Sequence, residues 1–277
     1  MIKPNNNAPV KFLNSVLTRS LVVILFLFVS KFALADDTTL NSSDFKTTQT
    51  LINNIRANKL DYLLNQQKLT QAFEISKQQN FSKLHLEAAA LYAELLFRQE
   101  KYDALNTHIS NYINNKQLLK QSDIYLLFLE AQLKYLSQTD KLAEAKVLAK
   151  RLEEKITQHS AKEKIIIFRA LAYYYTDTDS LRKTLSAALE GLELAIKDED
   201  IASQAYFLRK VADAYNFLND GDNSESKAIY YAKKAVETYE KTNDGLFTAK
   251  AYWSLGNVML EANNSQDALI YLTKALR

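Results

Sequence analysis

Cysteine is absent from all 277 residues. That removes a disulfide framework, a thiolate nucleophile, a cysteine-ligated metal and a lipidated cysteine together. Proline is nearly absent as well: Pro4 and Pro9 are the two present, both at the extreme N-terminus. After residue 9 nothing locks φ or removes a backbone donor, so no residue forces a helix to stop. The four glycines, Gly191, Gly221, Gly245 and Gly256, are scattered. They cannot build a glycine-rich phosphate loop, and a β-rich fold would need more turn residues. The chain therefore reads as all-α. Histidine is scarce too: His85, His108 and His159 stand 23 and 51 residues apart. That is not metal-ligand spacing on a helix, so the three are expected to be solvated imidazoles on helix surfaces. Neither a metal nor a cofactor is expected.

Residues 1–20 hold Lys3, Lys11 and Arg19 and no acid, followed by an apolar run from Leu21 to Val29 and then Ala33-Leu34-Ala35 before Asp36. A basic start, a short apolar stretch and an A-x-A site describe a secretory signal peptide cleaved after Ala35. A membrane-spanning helix needs about 20 apolar residues, and Lys31 interrupts this run after nine. An uncleaved segment would leave the membrane reached through residues 1–35. These residues contain four of the 35 basic groups and none of the 32 acids, so the remainder carries 31 basic against 32 acidic residues. The basic excess belongs to the leader and gives no reason to expect nucleic-acid binding.

What is abundant is repetition. Ala188, Ala228 and Ala268 recur at a 40-residue step, as do Ala195, Ala235 and Ala275. In the preceding segments Ala172, Ala212 and Gly256 hold one matching place, with Tyr175, Tyr215 and Met259 three further on. Small residues let paired helices approach closely while larger neighbours fill the groove. One such pair cannot cover its own apolar face, so pairs stack and share a core. Earlier pairs are expected at 84–97 with 102–113 and at 124–136 with 142–156, and residues 44–79 add two further helices.

The stretch 249–277 resembles the tetratricopeptide repeat through Tyr252, Leu255, Gly256 and Met259, then Ala268, Leu272 and Ala275. The 40-residue period resembles long-helix variants of that repeat. The resemblance covers 84–277 and is clearest from 165 onward. It implies an all-α, right-handed superhelical solenoid of antiparallel helix pairs, with residues 1–35 as leader and 36–83 as a degenerate N-terminal segment. In that family the first helix of each pair lines a concave groove. Carried over by position, the groove residues are Tyr125, Phe128, Gln132, Tyr135, Arg169, Tyr173, Tyr206, Arg209, Asp213, Asn216, Trp253 and Asn257. Aromatic, arginine and amide side chains suit recognition, and Arg169 and Arg209, one repeat apart, could meet a carboxylate or phosphate. The competing reading makes the tyrosines packing residues and pairs the arginines with acids such as Asp213. The family's carboxylate clamp is not reproduced.

Acid pairs such as Glu153-Glu154 and Asp198-Glu199-Asp200 read as solvated faces and caps, not as an acid/base pair with split pKa values. No catalytic constellation is expected. The chain is thus expected to be an exported, periplasmic binding or scaffold protein of a Gram-negative bacterium, taking a protein or peptide in its groove. The alternative makes it the sensory region of a membrane-bound signalling protein of the diguanylate cyclase or histidine kinase type. Leu269, Leu272 and Leu276 would leave the final helix apolar and uncapped, which suggests either a longer protein or self-association through that repeat.

Overall fold

The structure, a computed structural model, describes residues 42–56, 63–78, 83–218 and 223–276. The expected leader and its cleavage site lie outside the described residues. No described helix is long and apolar enough to cross a membrane. The described residues form twelve α-helices and no strand. They are α1 (Ser42–Arg56), α2 (Gln66–Lys77), α3 (Lys83–Arg98), α4 (Tyr102–Tyr112), α5 (Ser122–Gln138) and α6 (Leu142–Lys155). Then come α7 (Ala161–Asp177), α8 (Leu181–Lys197), α9 (Ile201–Leu218), α10 (Ser224–Tyr239), α11 (Gly245–Glu261) and α12 (Ser265–Ala275).

From α3 on, the odd-numbered helices begin at 83, 122, 161, 201 and 245, steps of 39, 39, 40 and 44. Each odd helix packs on the odd helix before it and on the even helix between them, so α9 touches both α7 and α8, and α11 both α9 and α10. This is a helical-repeat arrangement. The small residues that mark the period are what allow it. Ala172, Ala188, Ala212, Ala228 and Ala268 are fully buried. Two glycines lie where no side chain fits: a Cβ on Gly191 would fall 2.2 Å from the Phe207 ring, and one on Gly256 2.6 Å from Leu272 Cγ.

The same turn closes four of the pairs. Glu100, Asp140, Asp179 and Asn263 follow α3, α5, α7 and α11 with left-handed φ of 56°, 59°, 53° and 57°. The next amide reaches back to close the helix end: Lys101 to the Leu96 carbonyl (3.0 Å), Lys141 to Leu136 (3.1 Å), Ser180 to Tyr175 (2.8 Å), Asn264 to Met259 (2.8 Å). This closure usually recruits glycine, but Asp and Asn tolerate the conformation best among other residues. Helix starts are written in side chains. Ser160 and Glu163 form a reciprocal capping box on α7, while Asp244 and Asn264 accept from Phe247 and Asp267 amides at the heads of α11 and α12.

Two of the three histidines are not on the surface. His85 is 1% and His108 7% exposed, packed among Phe73, Tyr92, Tyr112 and Phe128. Their neutral forms are fixed by partners. The Ser76 hydroxyl spends its proton on the Phe73 carbonyl, so it accepts from His85 Nδ1, 3.2 Å away. His85 Nε2 then accepts from the Tyr112 hydroxyl at 2.7 Å. His108 Nε2 donates to the Ala89 carbonyl at 2.9 Å. An imidazole counted as polar by type becomes a core residue once its nitrogens are satisfied, as both are in His85.

Candidate functional site: the charged inner face

Arg98 on α3 and Asp244 at the head of α11 are 146 residues apart in sequence, yet their side chains meet at 2.8 Å. The row of odd helices must therefore curve round on itself, making their shared surface an inner face. Along that face runs a buried relay of alternating charge. Arg98 also binds Glu94 (2.9 Å), Lys134 binds both Glu94 (3.2 Å) and Glu130 (2.9 Å), and Glu130 takes a two-pronged contact from Arg169 (3.2 and 2.5 Å). Arg169 ends the relay on Ser203 at 3.4 Å. Glu94–Arg98 and Glu130–Lys134 are each one helical turn apart, so each pair lies along one helix edge and bridges to the next helix.

Burial works against the charges of Glu94, Glu130 and Arg169, and their partners outweigh it. Lys134 and Arg98 hold the Glu94 carboxyl down to about 2. Arg169 and Lys134 lower that of Glu130, and Glu130 in turn raises the Arg169 guanidinium above its usual value. From Asp244 to Arg169 the relay holds three acids and three bases, so it neutralises itself. Buried relays of this kind add little net stability but are unforgiving of the loss of one member.

Beside the relay lies a cavity of about 310 Å³ lined by α1, α3, α5, α7 and α9, the end of α10 and the head of α11, including Leu127, Ile166, Tyr206 and Phe247. Next to it, sharing Tyr206, a second group gathers. Arg209 binds Asp213 at 2.9 Å, and Ser254 also donates to Asp213. The Tyr206 hydroxyl donates to the Arg169 carbonyl at 3.1 Å. Lys210 donates to Thr176 Oγ1 at 3.1 Å and lies 5.6 and 6.0 Å from the Tyr173 and Tyr206 ring centres.

The residues assigned by repeat position divide sharply. Arg169, Tyr173, Tyr206, Arg209 and Asp213 are together on the inner face. On α5 the expected register is displaced. Phe128 is fully buried against Tyr112 and His108. Gln132 faces α6 beside Ala143 and Val147. The Tyr135 hydroxyl accepts from Lys141, and Tyr125 is half-buried against the core. The inner edge of α5 is instead Asp123, Leu127, Glu130 and Lys134. Trp253 is 52% exposed beside Leu272 and Leu276, while Asn216 and Asn257 are half-buried and take no part in the relay. Arg169 and Arg209, expected to be available to a ligand, are engaged by Glu130 and Asp213. Glu94, Glu130 and Lys134 were not anticipated, although a signal exists: in SDIYLLFLEAQLKYLSQ two charges sit one turn apart within an apolar helix. Charges in such a setting are buried and paired.

Fold and inner face together define a helical-repeat protein whose odd helices present paired charges inward. No protein-family model matches the chain, and no curated protein matches it. Among solved structures, its fold is similar to that of BtubC (BKLC) from P. vanneervenii, with a TM-score of 0.53 at 14% identity, covering 87% of this chain and 91% of that one.

Proposed function

We propose that this is a non-catalytic binding or scaffold protein of tetratricopeptide type, exported by its N-terminal leader, that holds a protein or peptide partner on its inner face. The observation that carries the reading is the cavity of about 310 Å³ on that face, where aromatic and charged side chains from several helices converge. The 39- to 44-residue step and the buried alanines at matching places support the repeat type. The strongly shifted groups of the relay are explained by their own ion pairs, which supports a structural role over an acid/base one.

A photo-crosslinking amino acid placed at Leu127 or Ile166, inside the face, and at Val147, 71% exposed outside it, tests the assignment in the native cell. The expected result is a discrete crosslinked partner from the inner positions and none from Val147. Crosslinks from Val147 alone, or none from any position, would overturn it.

A further inference from the structure

The relay consumes its own charges, but the group beside it does not. Lys210 is 5% exposed and spends one of three ammonium donors, on Thr176. The Tyr173 hydroxyl makes no hydrogen bond among the described residues, and Lys250, exposed on α11, makes no ion pair among them and lies 5.3 Å from the Phe247 ring centre. Arg209 Nε is buried without an acceptor. The acids that could answer them are already taken. Asp213 receives Arg209 and Ser254, Asp177 receives Gln138 at 2.8 Å, and Glu94 receives Arg98 and Lys134. Tyr173 of α7 and Lys210 of α9 thus lie together, Lys250 of α11 is near enough to act on the Lys210 charge, and more positive charge gathers than these acids neutralise.

We propose that Tyr173, Lys210 and Lys250 form a subsite on the inner face for one oxyanion group, a phosphoryl or carboxylate group carried by the bound partner. A buried ammonium held by rings and a hydroxyl lacks the charged acceptor such groups ordinarily find, and an oxyanion supplies several acceptors at once. The electrostatics agree. Burial and then Arg209 lower the Lys210 ammonium to about 7, with Lys250 adding to the effect and Asp213 and Asp177 opposing it. Burial, Arg209 and Arg98 bring Lys250 to about 8, with Lys134 adding and Glu94 opposing. An anion arriving between them restores both charges, so binding takes up protons.

The inference rests on the inner face being the binding surface, and its test is independent of any partner. The full chain is titrated with sulfate, inorganic phosphate and succinate at constant ionic strength, followed by calorimetry in buffers of different ionisation heat. Expected are saturable binding with proton uptake at pH 8, and sulfate affinity falling between pH 7 and 9, where sulfate itself does not titrate. Lys210→Met and Lys250→Met should each weaken binding by about tenfold or more, while Lys150→Met, at an exposed site on α6, leaves it unchanged. Lys210→Met places a thioether of similar length where a desolvated ammonium stood, so the fold is retained; its melting curve checks this. A preference for sulfate and phosphate identifies a phosphoryl group, and one for succinate a carboxylate; either supports the subsite. No saturable binding, or binding indifferent to both lysine variants, overturns it. Inner-face crosslinks without anion binding would remove the subsite alone. Anion binding without such crosslinks would leave the subsite and remove the partner reading.

Discussion

At the scale of single residues, the buried imidazoles make the fold sensitive to acid. Burial, then His108 and Lys77, lower His85 from 6.5 to about 4, and burial also lowers His108. The unfolded chain therefore takes up these protons first as the pH drops. By linkage, the histidine contribution to stability is constant well above pH 6.5, where both states hold neutral rings, and is lost as the pH falls from 6.5 toward 4. For His85 the loss is on the order of 2 kcal/mol, since each unit of displacement corresponds to about 1.4 kcal/mol and the site is not wholly dry. Ring NMR should show His85 still neutral at pH 5.5, with the melting temperature falling over the same interval. A His85 resonance titrating at 6.5 or above would contradict the assignment. Residue type alone misplaced these groups: imidazole is compatible with surface or core, and the partners that settle the matter, Ser76 and Tyr112, lie 9 and 27 residues away.

At the scale of helices, the period was legible because it is enforced sterically. Where paired helices cross closely, as at Ala172, Ala188, Gly191, Ala212, Ala228, Gly256 and Ala268, the chain shows alanine or glycine. Register within a helix was not equally legible. On α5 the aromatics face the core and α6 while Glu130 and Lys134 face inward, because aromatic rings fill gaps between layers and the paired charges bridge odd helices. The steric account makes a prediction of unusual sign. Gly→Ala inside a helix ordinarily stabilises by about 1 kcal/mol, yet at Gly191 the added methyl meets the Phe207 ring and at Gly256 the Leu272 side chain. Each Gly→Ala change should therefore destabilise by about 1–3 kcal/mol. The reverse exchange belongs at the turns. Asp140→Gly relieves a left-handed φ of 59° and should stabilise by up to about 1 kcal/mol. Urea unfolding of the three variants checks the signs, and a stabilised Gly191→Ala would show that α8 and α9 do not pack this closely.

At the scale of the whole molecule, the repeats account for a row of helices but not for its closure. Nothing in a 40-residue period says that α3 and α11 touch; that follows from curvature accumulated over the intervening pairs, and it is expressed where Arg98 meets Asp244 and Phe247. Arg98 and Asp244 are 7% and 10% exposed, and the Arg98 guanidinium also lies 4.4 Å from the Phe247 ring centre. Because Asp244 also caps α11, Asp244→Asn keeps a capping oxygen while removing the charge, which isolates the ion pair from the helix start. Removing one partner leaves the other undercompensated in a desolvated setting, although Arg98 keeps Glu94, so Asp244→Asn alone should cost about 1–3 kcal/mol, and Arg98→Met a similar amount. Losing both removes the part of that penalty the two singles share. The double variant should then be less destabilised than the sum of the singles, with a coupling of about 1–3 kcal/mol. If this contact holds the curve closed, small-angle scattering should show a larger radius of gyration for either single variant. Additive energies with an unchanged radius would mean that the curvature is set by helix packing alone. Coupling with an enlarged radius would mean that the inner face, with its cavity and its uncommitted cations, is held in shape by a contact between the two ends of the row.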